Sequence, residues 1–162
     1  DWDGYRLAVA LQLTSVGIPV LYYGEEVGRL GGDWPDNRSD MPWGDLGVGP
    51  GSGIPRDESL RDHVARLVDI RRDHPALSRG AYRAISNDGD LLVFARSDAA
   101  SGDEVIVAVN RGHEASAFAA DLPVAWKGRR VYDEVQGSEI DIEGSQLRVE
   151  VGPRTAMVIV AR

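Results

Sequence analysis

The feature that most constrains this chain is a short apolar run that ends in acid. Residues 18–23 read Ile-Pro-Val-Leu-Tyr-Tyr. They lack the alternation of a half-wet strand and fit a strand covered on both faces, as in a parallel sheet. Glu25 and Glu26 follow at once, and a polar loop with Asp33, Asp36, Arg38 and Asp40 comes next. Carboxylates and an arginine beyond the carboxyl end of a buried parallel strand are where α/β folds place ligand sites.

Upstream, residues 5–16 carry apolar side chains on nearly every side of a helix, which predicts a helix covered nearly all round. Gly17 is placed to end it, and Pro19 forbids its continuation. One helix and one strand make a single step of an α/β layer structure, so the partner strands must come from elsewhere.

The loop at residues 24–56 is rich in glycine and proline and far longer than ordinary connections. Loops of that length are binding loops or disordered linkers. Trp34, Met41 and Trp43 favour the first, because a solvated linker has little use for large apolar anchors. A second helix is predicted from Ser59, with Asp62 completing a capping box. Its apolar face would be Leu60, Val64, Leu67 and Val68, and His74-Pro75 would stop it.

After Gly80 the pattern changes to strands. Residues 82–86 and 91–96 flank Asn87-Asp88-Gly89, a hairpin signal. Further strands are predicted at 105–109, 115–119, 129–135, 138–142, 146–151 and 155–160. Short strands at regular spacing with Gly-rich turns read as an antiparallel sandwich. The expected division is therefore 1–79 and 80–162.

The net charge of −8 and an isoelectric point near 4.8 argue against nucleic acid or an anionic membrane as partner, since phosphate surfaces need excess Lys and Arg. There is no cysteine, which excludes disulfides and Cys-ligated zinc. No apolar stretch reaches the roughly 18 residues of a membrane span. The chain opens at Asp1 rather than Met, which points to processing or to a piece of a longer protein. The compartment is therefore not readable.

Gly-Ile-Pro-Val-Leu-Tyr-Tyr-Gly-Glu-Glu at residues 17–26 resembles the last barrel-strand motif of the α-amylase family of glycoside hydrolases and transglycosidases, glycoside hydrolase family 13. Asp-Asn-Arg at 36–38 through Met-Pro-Trp at 41–43 resembles the loop after that strand, especially in maltogenic amylases, cyclodextrinases and α-glucosidases. Arg-Arg-Asp-His-Pro-Ala-Leu at 71–77 resembles the last barrel helix entering the C-terminal domain, and the strands ending at 153–160 resemble that domain. The resemblance implies α/β followed by all-β: the C-terminal piece of a TIM-type (β/α)8 barrel plus an antiparallel β-sandwich. It implies a retaining mechanism on α-linked glucosides. The aspartate nucleophile, glutamate acid/base and stabilising aspartate belong to earlier barrel strands, so no catalytic residue is expected in this chain and its own activity is expected to be nil. The implied partners are an α-glucan or oligosaccharide and the missing N-terminal part of the same enzyme. No cofactor or metal is expected in this chain, and calcium is open for the complete enzyme.

Within that frame the expected substrate-binding residues are Arg38, Asp36, Asp33, Trp34 and Tyr23. A guanidinium offers a rigid fork of donors for sugar hydroxyls. The competing reading of Arg38 is a surface ion pair with Asp33, Asp36 or Asp40. Glu25 and Glu26 are adjacent and point to opposite sides of an extended chain, so they do not form the carboxyl pair of a retaining glycosidase, held about 5 to 5.5 Å apart. They are expected to support the site structurally, Glu26 by the resemblance. Many relatives carry Asp-Pro where this chain has Trp34-Pro35. His63, His74 and His113 lack metal-ligand spacing. Residues 47–53 lack the Lys and Ser/Thr of a phosphate loop, and no Gly-x-Ser-x-Gly occurs. The rival reading is a stand-alone module that binds carbohydrate or protein through Trp126, Tyr132 and Phe118.

Overall fold

A computed structural model describes residues 1–142 and 144–162. The chain forms two compact units, Asp1–Ile18 with Arg66–Arg162, and Pro19–Ala65. Residue 80 marks the change from helices to strands, whereas the boundaries between the units lie earlier in the chain. No described helix is long and apolar enough to cross a membrane.

The larger unit is built on two antiparallel sheets. Strands β1 (Ala81–Asp88), β2 (Leu91–Asp98), β3 (Asp103–Asn110), β5 (Val131–Asp133), β6 (Ser138–Ile140) and β8 (Thr155–Ala161) form one sheet in the order β1-β2-β3-β8-β5-β6. Strands β4 (Ser116–Asp121) and β7 (Gln146–Val151) form the other. Burial separates the strands by position. In β7 every second residue is buried, the mark of one wet face, whereas β2, β3 and β8 are buried almost continuously.

Both faces of those central strands are covered. Val93, Ile106, Ala108 and Ile159 join Phe118, Leu147, Val149 and Val151 in the core between the sheets. Their odd-even neighbours lie under helices, because α1 (Trp2–Thr14) packs on β3 and β8 and α3 (Pro75–Arg79) on β2 and β3. The result is a sandwich with a helical layer on the larger sheet. Asn110, buried at the end of β3, donates to the carbonyls of Glu114, Val151 and Gly152 and accepts from Gly112 N–H. One side chain thereby closes two chain connections.

The strand predictions hold with shifted ends. The first hairpin turns on Gly89-Asp90, because Asp88 pairs with Leu91, and Gly89 supplies the positive φ of 58°. Helix α1 starts at Trp2 behind the cap Asp1, whose carboxylate accepts from Gly4 N–H, and ends at Thr14, before Gly17. It is covered on one side rather than all round: Leu7, Val9, Ala10, Leu13 and Thr14 are buried and Ala8 is exposed.

Helix α2 (Glu58–Asp73) begins one residue before the predicted Ser59. Asp57 does the capping, its carboxylate accepting from Leu60 N–H at 2.9 Å, so the predicted Ser59–Asp62 box is not what starts the helix. Its buried stripe is Leu60, Val64, Leu67 and Ile70, with Val68 exposed, one position off the prediction.

The smaller unit contains no strand among its described residues. Residues 18–22 form no helix or strand and belong to neither sheet, and Ile18 and Val20 are 92% and 74% exposed. The expectation of a buried parallel strand is corrected for this chain. A strand forms only by pairing, and every strand among the described residues lies after residue 80, already committed to the two sheets. The long loop is nevertheless organised by backbone bonds: Gly44 N–H to Ile54 O at 2.9 Å, Gly53 N–H to Gly44 O at 2.7 Å and Trp43 N–H to Gly51 O at 3.2 Å.

Candidate functional site

The site begins with a tight turn after the apolar run. Gly24 adopts a φ of 87°, and its carbonyl accepts from both Val27 N–H and Arg29 N–H, winding Glu25–Val27 into a single 3-10 turn. A Cβ at Gly24 would lie 2.5 Å from Arg29 Cδ, so glycine leaves room for the arginine stem. Glu25 serves this turn, its carboxylate accepting from Tyr22 N–H at 3.0 Å. Glu26 lies beside it, half-buried.

Arg29, which no sequence motif marks, organises the next stretch of the loop. Its guanidinium sits 4.5 Å from the centre of the Tyr23 ring and 5.8 Å from that of Tyr22. It donates to Ser39 O at 3.1 Å, to Asp36 O at 3.4 Å and to the Tyr23 hydroxyl at 3.3 Å. The Tyr23 hydroxyl in turn donates to Ser39 O at 2.9 Å. Most of these acceptors are backbone carbonyls, which any residue supplies, so the arrangement leaves no trace in the residue pattern.

A second 3-10 turn, Asp36–Arg38, rests on Asp33, whose carbonyl accepts from Asp36 N–H at 2.7 Å. It displays Trp34 and Arg38 together. Trp34 is 73% exposed, and the Arg38 guanidinium lies 5.6 Å from its ring centre. Among the described residues Arg38 makes no ion pair with Asp33, Asp36 or Asp40, and its guanidinium faces the Trp34 ring instead. Asp33, Asp36 and Arg38 thus share one exposed turn, the Arg38 guanidinium lies over the Trp34 ring, and the Tyr23 hydroxyl is bonded to the Ser39 carbonyl. An exposed indole face beside forked donors matches the two chemical faces of a pyranose, apolar C–H and hydroxyl.

The rival aromatic platform is not on the surface. Trp126 is 2% exposed and Phe118 is also buried, both within the core between the sheets, and Tyr132 is half-buried under Arg162. Phe118 reaches this core from β4 and Trp126 from the 3-10 turn Val124–Trp126, because two packed sheets need bulk between them.

A family model described as the maltogenic amylase C-terminal domain matches residues 82–158. The cyclomaltodextrinase of Geobacillus thermopakistaniensis is 29% identical over 91% of this chain. The chain belongs to the α-amylase family. Its β-rich part is the C-terminal sandwich of that family. The α-amylase-family fold extends to solved structures: an Anoxybacillus α-amylase superposes with a TM-score of 0.83 at 22% identity, over 99% of this chain and 32% of that one. The α-amylase of Geobacillus thermoleovorans, complexed with acarbose, gives 0.81 at 22% identity, over 99% and 33%. This α-amylase-family chain spans 24% of the cyclomaltodextrinase and between 10% and 25% of the curated relatives it matches over nearly its whole length.

Proposed function

We propose that this chain is part of an enzyme that hydrolyses or transfers α-glucosidic linkages of starch-derived oligosaccharides with retention of configuration. In this reading residues 1–79 complete a catalytic (β/α)8 barrel: residues 18–23 are its last strand, covered once neighbouring strands are present, and α2 is its last helix. Residues 80–162 are the C-terminal domain. The nucleophile, acid/base and stabilising aspartate lie outside this chain, which is inactive alone, and any calcium is bound outside it too.

The observation that carries the reading is the exposed Trp34–Arg38 pair, held on a turn just beyond the apolar run and its two glutamates. Arg38 donates to hydroxyls of the sugar at the cleaved bond, Trp34 stacks on its apolar face, and Asp33 and Asp36 accept from neighbouring hydroxyls. Glu25 and Glu26 hold the strand end. The exposed apolar residues Ile18 and Val20 support the barrel assignment, since water-facing β-branched residues at such density mark a surface that is normally covered.

In the full-length protein, Arg38→Ala should lower kcat/KM on a short maltooligosaccharide by about 10- to 100-fold, the cost of losing charge-assisted bonds to a bound sugar. Unchanged kinetics would remove Arg38 from the site. Proton NMR of the first-formed product should show the α-anomer, and a β-anomer would rule out retention.

A further inference from the structure

The exposed turn that carries Trp34 and Arg38 has no core beneath it: nearly every residue from 30 to 40 is exposed. Something other than packing must hold the Arg38 backbone in one place. Asp36 and Ser39 bracket Arg38, and the Arg29 guanidinium donates to the carbonyl of each, at 3.4 and 3.1 Å. Charge-assisted bonds of this kind are about twice as strong as neutral ones. The planar fork spans two acceptors at once, which a lysine ammonium on a single flexible stem does not reproduce. Tyr23 adds a second donor to Ser39 O, and its ring lies against the guanidinium, which limits the orientations the fork can take.

We infer that Arg29 is a positioning residue: with Tyr23 it clamps the backbone on both sides of Arg38 and thereby sets where the Arg38 guanidinium meets an α-linked glucoside. The inference rests on the reading that Arg38 contacts substrate. Arg29 itself faces backbone and tyrosine and acts only through the turn it holds.

The test is a double-mutant cycle in the full-length protein, with kcat/KM on a short maltooligosaccharide and melting temperature as readouts. Arg29→Ala should lower kcat/KM roughly 10- to 100-fold, the range expected for a displacement of about 1 Å at a site. Arg29→Lys should fail to rescue it. Tyr23→Phe, which removes only the hydroxyl, should give a smaller loss and serves as the decisive variant where Arg29→Ala does not fold. The combination of Arg29→Ala with Arg38→Ala should be no slower than Arg38→Ala alone, because a clamp has nothing to position once the guanidinium is gone.

Losses that multiply would show that Arg29 does not act through Arg38 and would overturn the clamp. So would wild-type kinetics for Arg29→Ala or full rescue by lysine, beside an impaired Arg38→Ala. All three leave the substrate reading standing. Wild-type kinetics for Arg38→Ala would instead strike the substrate reading, and the clamp would fall with it.

Discussion

Arg96, 1% exposed in the middle of β2, donates from Nη1 to the carbonyl of Thr14 at 2.7 Å, joining residues 82 positions apart. Its second Nη reaches Gly80 O at 2.9 Å. Arg71 completes the arrangement from α2, donating to Leu13 O, Ser15 O and Gly17 O at 2.6, 3.3 and 2.7 Å. Two guanidinium groups thus collect the carbonyls at the end of α1, where unpaired acceptors and the negative end of the helix dipole favour cations. Burial lowers the pKa of both, and the Arg71 charge lowers that of Arg96 further. Both stay protonated, as arginine does in proteins.

Truncating Arg96 takes the donor from the buried Thr14 carbonyl and the half-buried Gly80 carbonyl and leaves a cavity under α1. Arg96→Ala should destabilise the chain by about 3 to 5 kcal/mol, read from urea unfolding of the protein. A loss below about 1 kcal/mol, the worth of an ordinary surface bond, would mean that α1 finds another cap.

Two aspartates give opposite pH slopes. Asp98, bonded to Arg79 and to Ser101, is lowered from 3.8 to about 2. Its contribution is present above about pH 4 and lost as pH falls from 4 toward 2. Asp98→Asn should flatten that acid limb in urea unfolding measured across this range, and an unchanged limb would assign the loss to other carboxylates.

Asp133, buried in β5, is raised above its ordinary 3.8 by desolvation, in spite of bonds from Val158 and Val135 N–H. The folded state then holds its proton more tightly than the unfolded chain, so the group costs stability progressively as pH rises through 3.8 and beyond. One carboxyl oxygen has no partner among the described residues. Asp133→Asn keeps the acceptor and removes the charge, so its stability relative to wild type should rise between pH 4 and 7. A gap that stays constant with pH would show that the carboxyl does not titrate anomalously.

The loop at residues 41–54 closes on Gly51. Its φ is 97°, and a Cβ there would lie 2.0 Å from Met41 O, which is backbone and cannot swing aside. Gly47 also has positive φ, 69°, but faces open space. Gly51→Ala should cost about 2 kcal/mol or more and Gly47→Ala about 1 kcal/mol. Limited proteolysis of the two variants would compare them, and equal cleavage in the loop would contradict the close approach.

Trp126 separates the core reading from the platform reading. Trp126→Ala should destabilise the sandwich by about 3 to 5 kcal/mol, as for other fully buried aromatics. A folded variant of wild-type stability with weakened starch binding would restore the platform.

Much of this architecture is legible in the chain itself. Alternation in β7, the apolar runs of β2, β3 and β8 and the glycine-bearing turns mark an antiparallel sandwich, because strand periodicity is a local property of side-chain order. The motifs at residues 17–26 and 36–43 point to the family and to the loop that carries Arg38. Capping by Asp57 instead of Ser59, and Ile70 instead of Val68 in the buried stripe of α2, differ from the sequence pattern by a residue or two. Such ends depend on a single hydrogen bond or a few degrees of helix rotation.

Tertiary structure decided what depends on partners distant in sequence. An arginine in the pattern of β2 looks like a wet position until α1 lies over it with an open carbonyl at Thr14. Arg29 looks like one charge among many until the chain folds back to bring the carbonyls of Asp36 and Ser39 within reach. Trp126 and Phe118 are indistinguishable from surface platforms by composition, and the packing of the two sheets buries them. Residues 18–23 have every property of a buried strand, yet a strand needs neighbours, and none of the described strands pairs with them. Sequence determines what each segment is suited to become. Which of those possibilities is realised depends on the hydrogen-bond partners and apolar faces that the fold brings alongside.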